Sequence, residues 1–200
     1  MATITADLVK QLRDKTGAGM MECKAALTEA GGNMDEAITL LRKRGLAQAA
    51  KRAGRATAQG TIGSYIHMGG KIGVLLEVNC ESDFVARTDD FNNLVREVAM
   101  HIAAADPKWV RREDVPAEAI EKEKGIYRAQ MENSSKPPAV LEKIIEGKLG
   151  SFYSQFVLLD QPSIRDPNVS ISQIVAQASA KTGENIQINR FVRFRVGDTE

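Results

Sequence analysis

The sequence has few cysteines, almost no net charge and no long apolar run, and each scarcity excludes a class of protein. Its 200 residues hold two cysteines, Cys23 and Cys80, in regular segments without paired spacing. Free thiols in a reducing compartment are therefore expected rather than a disulfide framework, and the cytoplasm is the expected location. Lys and Arg number 27 against 26 Asp and Glu, a net charge of +1, so no whole-molecule field draws the chain onto nucleic acid or an anionic membrane. No segment is apolar over the length a bilayer requires. Asp7 and Asp14 interrupt the apolar positions of the N-terminal segment, which suits neither a signal peptide nor an Arg-rich transit peptide. No internal repeat or low-complexity segment is present. What remains is 43% hydrophobic, enough to bury a core in one domain or in a small domain followed by a larger one.

The N-terminal third reads as helices. Thr5 can cap a helix with Leu8, Val9 and Leu12 on one face, and Gly17 ends it. A second helix runs from about Met20 to Ala30 and stops at Gly31-Gly32. Asn33 with Glu36 opens a third, which carries Ile38, Leu40 and Leu41 to Gly45. Between Glu36 and Glu77 no acidic residue occurs, while Arg42, Lys43, Arg44, Lys51, Arg52, Arg55 and Lys71 accumulate. The Ala-rich stretch from Leu46 to Ala58 reads as a helical or partly frayed linker, with a boundary near Gly54.

Beyond the linker the apolar period changes to two. Ile62, Ile66 and Met68 alternate with Thr61, Tyr65 and His67, then Ile72, Val74, Leu76 and Val78 alternate with Gly73, Leu75, Glu77 and Asn79, on either side of Gly69-Gly70. Placing both even-numbered sets in the core requires an even sum of paired positions, hence a three-residue loop Met68-Gly69-Gly70. Ile186, Ile188, Val192, Phe194 and Val196 give a third strand, in which Arg190 breaks the pattern and marks a bulge or an interface. Helices fill the interval: one opened by Thr88 with the stripe Phe91, Leu94, Val95, Val98 and Ile102; one from Asp114 and Pro116 to about Asn133; one after Pro137-Pro138; and one from Ser170 to Gly183. The fold class expected is α+β, a small three-helix bundle and basic linker (1–54) followed by a three-stranded antiparallel sheet packed with helices (55–200).

The chain carries little that could do covalent chemistry. Cys80, Asp83 and His101 are the residue types of a thiol enzyme but have no motif spacing, and a lone cysteine is usually a small buried hydrophobe. Gly69-Gly70-Lys71-Ile72-Gly73 lacks the Gly-Lys-Ser/Thr ending of a phosphate-binding loop and does not precede a helix. No cluster has metal-ligand spacing. No catalytic residue, metal or cofactor is expected, and the protein is not expected to be an enzyme.

The informative stretch is Asn79-Cys80-Glu81-Ser82-Asp83-Phe84-Val85-Ala86-Arg87, which sets an aromatic among charges where a strand runs out. Phe84 could close the end of the sheet as a core residue, or be presented to a partner as an anchor in a polar loop. Read together with Leu12-Arg13-Asp14-Lys15-Thr16-Gly17-Ala18-Gly19-Met20-Met21-Glu22-Cys23-Lys24-Ala25-Ala26-Leu27, this stretch closely resembles the bacterial elongation factor Ts family, the nucleotide-exchange factors of the GTPase EF-Tu. The two matches fall in the family's order and spacing.

The resemblance implies a ubiquitin-associated-like (UBA-like) bundle at the N-terminus and a guanine-nucleotide exchange function in translation elongation. It implies that Ser82, Asp83, Phe84 and Val85, matching the family's Thr-Asp-Phe-Val, promote GDP release by dislodging Mg²⁺ from EF-Tu; the Ser keeps the Thr hydroxyl. It implies that Arg13, Met20 and Met21 dock on the GTPase domain, and that His101, within Ala99-Met100-His101-Ile102-Ala103, touches EF-Tu too. From the residues alone, His101 lies on or beside the apolar stripe and reads as a satisfied core histidine. Short members of the family further imply a homodimer joined through the sheets. The alternative function is an RNA-binding module using the basic stretch 42–55, but that stretch has no interleaved aromatics to stack on bases. Neither direct nucleic-acid binding nor a membrane partner is expected.

Overall fold

The computed structural model describes residues 4–131 and 137–198. Thr5 accepts the Leu8 N–H at 3.3 Å and opens α1 (Ala6–Thr16), and Gly17, at φ 67°, closes it by donating to the Arg13 carbonyl at 2.7 Å. α2 (Met20–Glu29) follows after Gly19, and Asn33 opens α3 (Met34–Arg52) by accepting from the N–H groups of Asp35 and Glu36 at 3.0 and 3.2 Å. The three helices bury Val9, Leu12, Cys23, Ala26, Leu27 and Ala37 against one another. Leu12 and Leu27 have no exposed surface, and each contributes roughly 1.5–3 kcal/mol of burial.

α3 does not stop at Gly45, where the sequence suggested an end. The Ala, Gln, Lys and Arg that follow are good helix formers, and the helix continues to Arg52. A Cβ added at Gly45 would lie 3.3 Å from the Ala180 Cβ, so this glycine serves a close approach between segments rather than a helix end.

The strands β1 (Gln59–Ile66), β2 (Ile72–Cys80) and β3 (Gln187–Arg195) form an antiparallel sheet in the order β1-β2-β3, with β2 central. The register of the hairpin differs from the expectation. The His67 N–H donates to the Ile72 carbonyl at 2.9 Å, so the turn spans residues 68–71, with Gly69 and Gly70 both at positive φ (89° and 67°). Paired positions then have an odd sum, and even-numbered residues of β1 share a face with odd-numbered residues of β2.

Val74, Leu76, Val78 and Cys80 are buried as expected, but Ile62 and Ile66 are exposed, together with Leu75. The same pairing brings Gly60 (φ 149°) against β2, where a Cβ would lie 2.2 Å from the Val78 carbonyl oxygen. Along β3 the alternation changes phase. Ile186 and Ile188 are buried, Asn189 and Arg190 are both exposed, and beyond them Val192, Phe194 and Val196 point outward. This is the local break that Arg190 suggested, and it reverses which face the later apolar residues occupy.

The remaining elements are α4 (Asp83–Ala86), α5 (Asp89–Ala105), α6 (Ala117–Gln130), α7 (Pro138–Phe156) and α8 (Ile171–Thr182). Thr88 accepts the Phe91 N–H at 3.3 Å as expected of the residue opening α5. The α6 helix ends at Gln130; the end expected near residue 133 lies outside the described residues.

The chain forms two compact units. The first joins the N-terminal segment up to Ile62 with Glu77–Val95 and Gln173–Ile188; the second joins Gly63–Leu76, Arg96–Ser172 and the segment from Asn189 onward. The helical bundle thus belongs to the same unit as the end of β2, α4 and most of α8. In the second unit, Val115, Phe152 and Val157 make a core with Trp109, Tyr153 and Phe156 packed on it.

Candidate functional site

β2 delivers the chain to Cys80, whose buried thiol donates to the Ser82 carbonyl at 3.1 Å. Ser82 is extended (φ −128°, ψ 157°), and its hydroxyl accepts the Val85 N–H at 3.4 Å, capping α4, which is a single turn of four residues. At the other end Thr88 closes the turn, its hydroxyl donating to the Val85 carbonyl at 2.8 Å. Asp83 and Arg87 pair across the turn at 2.8 Å. No residue of α4 is buried, and Phe84 is 80% exposed. Of the two sequence readings of Phe84, the core residue is excluded by this exposure.

A turn this short has only the half-buried Val85 and Ala86 to pack and little helical cooperativity to hold it. The chain entering it is bonded to Glu184, just past the α8 cap Gly183. One carboxylate oxygen accepts the backbone N–H groups of Glu81 and Ser82, each at 3.0 Å, and the other accepts the Ser82 hydroxyl at 2.5 Å. In return, the Glu81 carboxylate accepts the Asn185 N–H at 2.6 Å. Asn185 continues the tie to the end of the bundle, its amide donating to the carbonyls of Ala53 and Arg55 at 3.3 and 2.8 Å. Nothing local in the sequence marks Glu184, because its partners lie 102 and 103 residues away.

The second group of expected site residues lies at the α1–α2 turn. Met20 is 44% exposed and Met21 75%, so both methionines reach solvent. Arg13 is exposed on the last turn of α1. The Lys181 side chain runs beside Gly17, where a Cβ would meet its Cε at 2.8 Å, and its ammonium pairs with Asp90 at 2.6 Å. α8 and its C-terminal cap thus touch both the methionine-bearing turn and the segment that carries Phe84, all within the first compact unit.

His101 is placed differently from the expectation that it touches a partner. Its ring has no exposed surface, Nε2 lies 2.8 Å from the Gln161 Oε1, and it belongs to the second unit. The Gln161 amide nitrogen is held by the carbonyls of Ala105 and Gln155, which turns its oxygen toward the ring, so Nε2 carries the hydrogen. Burial lowers the imidazole pKa, with the Gln161 hydrogen bond and Glu97 opposing. The ring is a neutral core group, the reading its position on the α5 stripe already offered.

Burial pushes both the Cys80 and Cys23 thiols up, Glu184 adding to the effect at Cys80, and His101 is bonded to Gln161. Among the described residues no group of three or more His, Cys, Asp or Glu could hold a metal. The basic stretch behind the RNA-binding alternative is partly engaged within the fold: Arg44 pairs with Glu29, Arg52 donates to the Ser179 carbonyl at 3.3 Å, and Arg55 reaches Glu81 at 3.5 Å.

Comparison with known sequences agrees with the resemblance seen in the motifs. The sequence model of the family described as Elongation factor TS matches residues 2–198. The protein named Elongation factor Ts of Fervidobacterium nodosum is 61% identical over 195 residues, covering 98% of this chain and 99% of that protein. Those of the same name from Solibacter usitatus and Carboxydothermus hydrogenoformans are 58% identical over 200 residues and 55% over 195, covering 94% and 90% of their own lengths. With a family match spanning nearly all its residues and relatives matched over almost their full length, the chain belongs to the elongation factor Ts family.

Proposed function

We propose that this chain is a guanine-nucleotide exchange factor for EF-Tu, binding EF-Tu·GDP and promoting GDP release during translation elongation. It performs no covalent chemistry. A GTPase holds its nucleotide largely through Mg²⁺ bridging the phosphates and through its phosphate-binding loop and Lys. Residues that disturb the Mg²⁺ environment therefore speed release. In this reading residues 1–54 are the docking bundle, with Arg13, Met20 and Met21 as contacts, and residues 55–200 carry the exchange segment Ser82, Asp83, Phe84 and Val85.

The observation that carries the proposal is Phe84, a large aromatic 80% exposed on a turn whose backbone is tied down on both sides. Such a side chain has ample surface to bury against a partner and little ordering left to undergo when it binds. His101, with no exposed surface, supplies no contact in this form of the chain and is left out of the contact set. Because coupling is reciprocal, whatever affinity the nucleotide loses when the factor is bound, the factor loses when nucleotide is bound, and excess GTP displaces it.

The proposal extends to a cytoplasmic homodimer. Ile66, Leu75, Val192, Phe194 and Val196 are all exposed apolar residues on strands of one sheet or just beyond it, within the second unit. An apolar sheet face of this kind is covered by a second copy more readily than left to water.

The deciding experiment is release of labelled GDP from EF-Tu by the wild-type chain and by Phe84→Ala. Truncation of an exposed side chain leaves the fold within about 0.5 kcal/mol, whereas loss of a central anchor costs ~2 kcal/mol or more, roughly thirtyfold in rate. Wild-type release by a folded Phe84→Ala protein would remove Phe84 from the mechanism.

A further inference from the structure

We infer that Glu184 is a positioning residue for exchange: its carboxylate sets the turn that presents Phe84. The inference rests on the exchange function proposed above and adds to it a residue outside both sequence motifs. A carboxylate only accepts hydrogen bonds. By taking the Ser82 hydroxyl hydrogen at 2.5 Å, Glu184 fixes the direction of that hydroxyl and leaves its lone pairs to the Val85 N–H, which is the cap of α4. By taking the N–H groups of Glu81 and Ser82, it also fixes the two peptides that lead into the turn.

No residue of α4 is fully buried, so these bonds, together with the Cys80 thiol on the Ser82 carbonyl, the Asn92 amide on the Ala86 carbonyl, the Thr88 closure and the Asp83–Arg87 pair, hold the turn that carries Phe84. A population of turns already in the binding geometry raises apparent affinity and rate in proportion to its fraction. An amide at position 184 still accepts the two backbone N–H groups through its oxygen. Its NH₂, however, faces the Ser82 oxygen and leaves the hydroxyl hydrogen without its acceptor. Glu184→Gln therefore falls between wild type and Glu184→Ala.

The test measures labelled GDP release from EF-Tu by wild type, Phe84→Ala, Glu184→Ala, Glu184→Gln and the double variant Phe84→Ala/Glu184→Ala, with amide hydrogen exchange on each factor alone. The expected result is release about tenfold slower for Glu184→Ala, the scale of a lost set of charge-assisted bonds, with Glu184→Gln in between. In the Phe84→Ala background, removing Glu184 has no further effect, because the side chain it positions is gone. Amides at 81–87 exchange faster while those of α1 and α2 keep their protection. Should Glu184→Ala fold poorly, Glu184→Gln and its own double variant carry the same comparison. Wild-type release by the Glu184 variants alongside slow release by Phe84→Ala overturns the inference and leaves the proposed function standing. An equal slowing in both backgrounds also overturns it, since Glu184 would then act on something other than Phe84. Unimpaired release by Phe84→Ala overturns the proposed site and this inference together.

Discussion

The imidazole of His101 meets the side-chain amide of Gln161 in the interior, Nε2 to Oε1 at 2.8 Å, while Nδ1 is buried with no hydrogen-bond partner. A ring in this position accommodates one hydrogen and not two. Protonating Nδ1 would create a buried cation whose new N–H has no acceptor, which is why burial lowers its pKa from the ordinary 6.5.

That arrangement makes stability depend on pH with a definite sign. The unfolded chain takes up a proton at His101 near pH 6.5 and the folded chain only at lower pH, so the contribution is fully present above 6.5 and is lost as pH falls from there through the folded pKa. In that window wild type is expected to lose stability more steeply with falling pH than His101→Gln, whose residue does not titrate, the difference being at most about 1.4 kcal/mol per pH unit. Urea unfolding of both proteins at pH 7.5 and 5.5 measures the difference. Equal slopes would mean that the buried ring is charged after all.

Gly60 is the backbone hinge of the hairpin register. At φ 149°, with the Val78 carbonyl oxygen 2.2 Å from where a Cβ would stand, no other residue fits without moving β1 off β2. Gly60→Ala is expected to destabilise by about 3 kcal/mol or more. Denaturant unfolding checks this, and a loss under 1 kcal/mol would show that the strands separate at little cost. Gly54, with open space around an added Cβ and no positive φ, serves as the control expected to tolerate alanine.

The helix ends were legible in the sequence because each follows a local rule: Thr5 and Gly17 bound α1, Asn33 opens α3, Gly183 follows α8. The polar flanks of Phe84 were legible for the same reason. Hairpin parity was not. It depends on whether the turn holds three residues or four, and the apolar pattern of β1 reads equally well with Ile62 and Ile66 inside or out. Their exposure follows from Gly60 and the 67–72 pairing, neither of which a periodicity reveals. Gly45 misled because a glycine in a helix signals an end and a close approach alike. The burial of His101 was legible from the α5 stripe, but its partner Gln161, 60 residues away, was not, and Glu184 was missed for the same reason, since the Glu81–Ser82 peptides it binds are about a hundred residues away in sequence.

Exposure of Phe194 (66%) and Leu75 (48%) on the sheet leads to a prediction about assembly. If two copies cover this face, Phe194→Asp places a charge in the dry centre of a twofold interface, where it meets its own copy, and association should be lost. Sedimentation equilibrium at micromolar protein is expected to give twice the chain mass for wild type and the chain mass for the variant, with unchanged circular dichroism. A stable interface of this kind buries more than roughly 1,200 Å² in total. Wild type at the monomer mass would sink the dimer.

Met21 and Phe84 should separate docking from exchange. Both are exposed, Met21 at 75% and Phe84 at 80%, so truncating either leaves fold stability within about 0.5 kcal/mol. Their effects on EF-Tu are expected to differ in kind. Met21 sits at the first turn of α2, away from the Phe84 turn in sequence, and its flexible thioether suits a contact surface rather than a wedge. Met21→Ala, and Arg13→Ala beside it, should raise the concentration of factor giving half-maximal GDP release by about five- to thirtyfold, the range of an interface contact of 1–2 kcal/mol, while the plateau rate is kept. Phe84→Ala should lower the plateau itself, because an interaction made in the step that loosens nucleotide is missing at any concentration. Titration of the factor against labelled EF-Tu·GDP reads both quantities from one curve. A Met21→Ala curve with a lowered plateau and an unshifted midpoint would place the methionine in the exchange step and remove the division of labour between the bundle and the Ser82–Val85 turn.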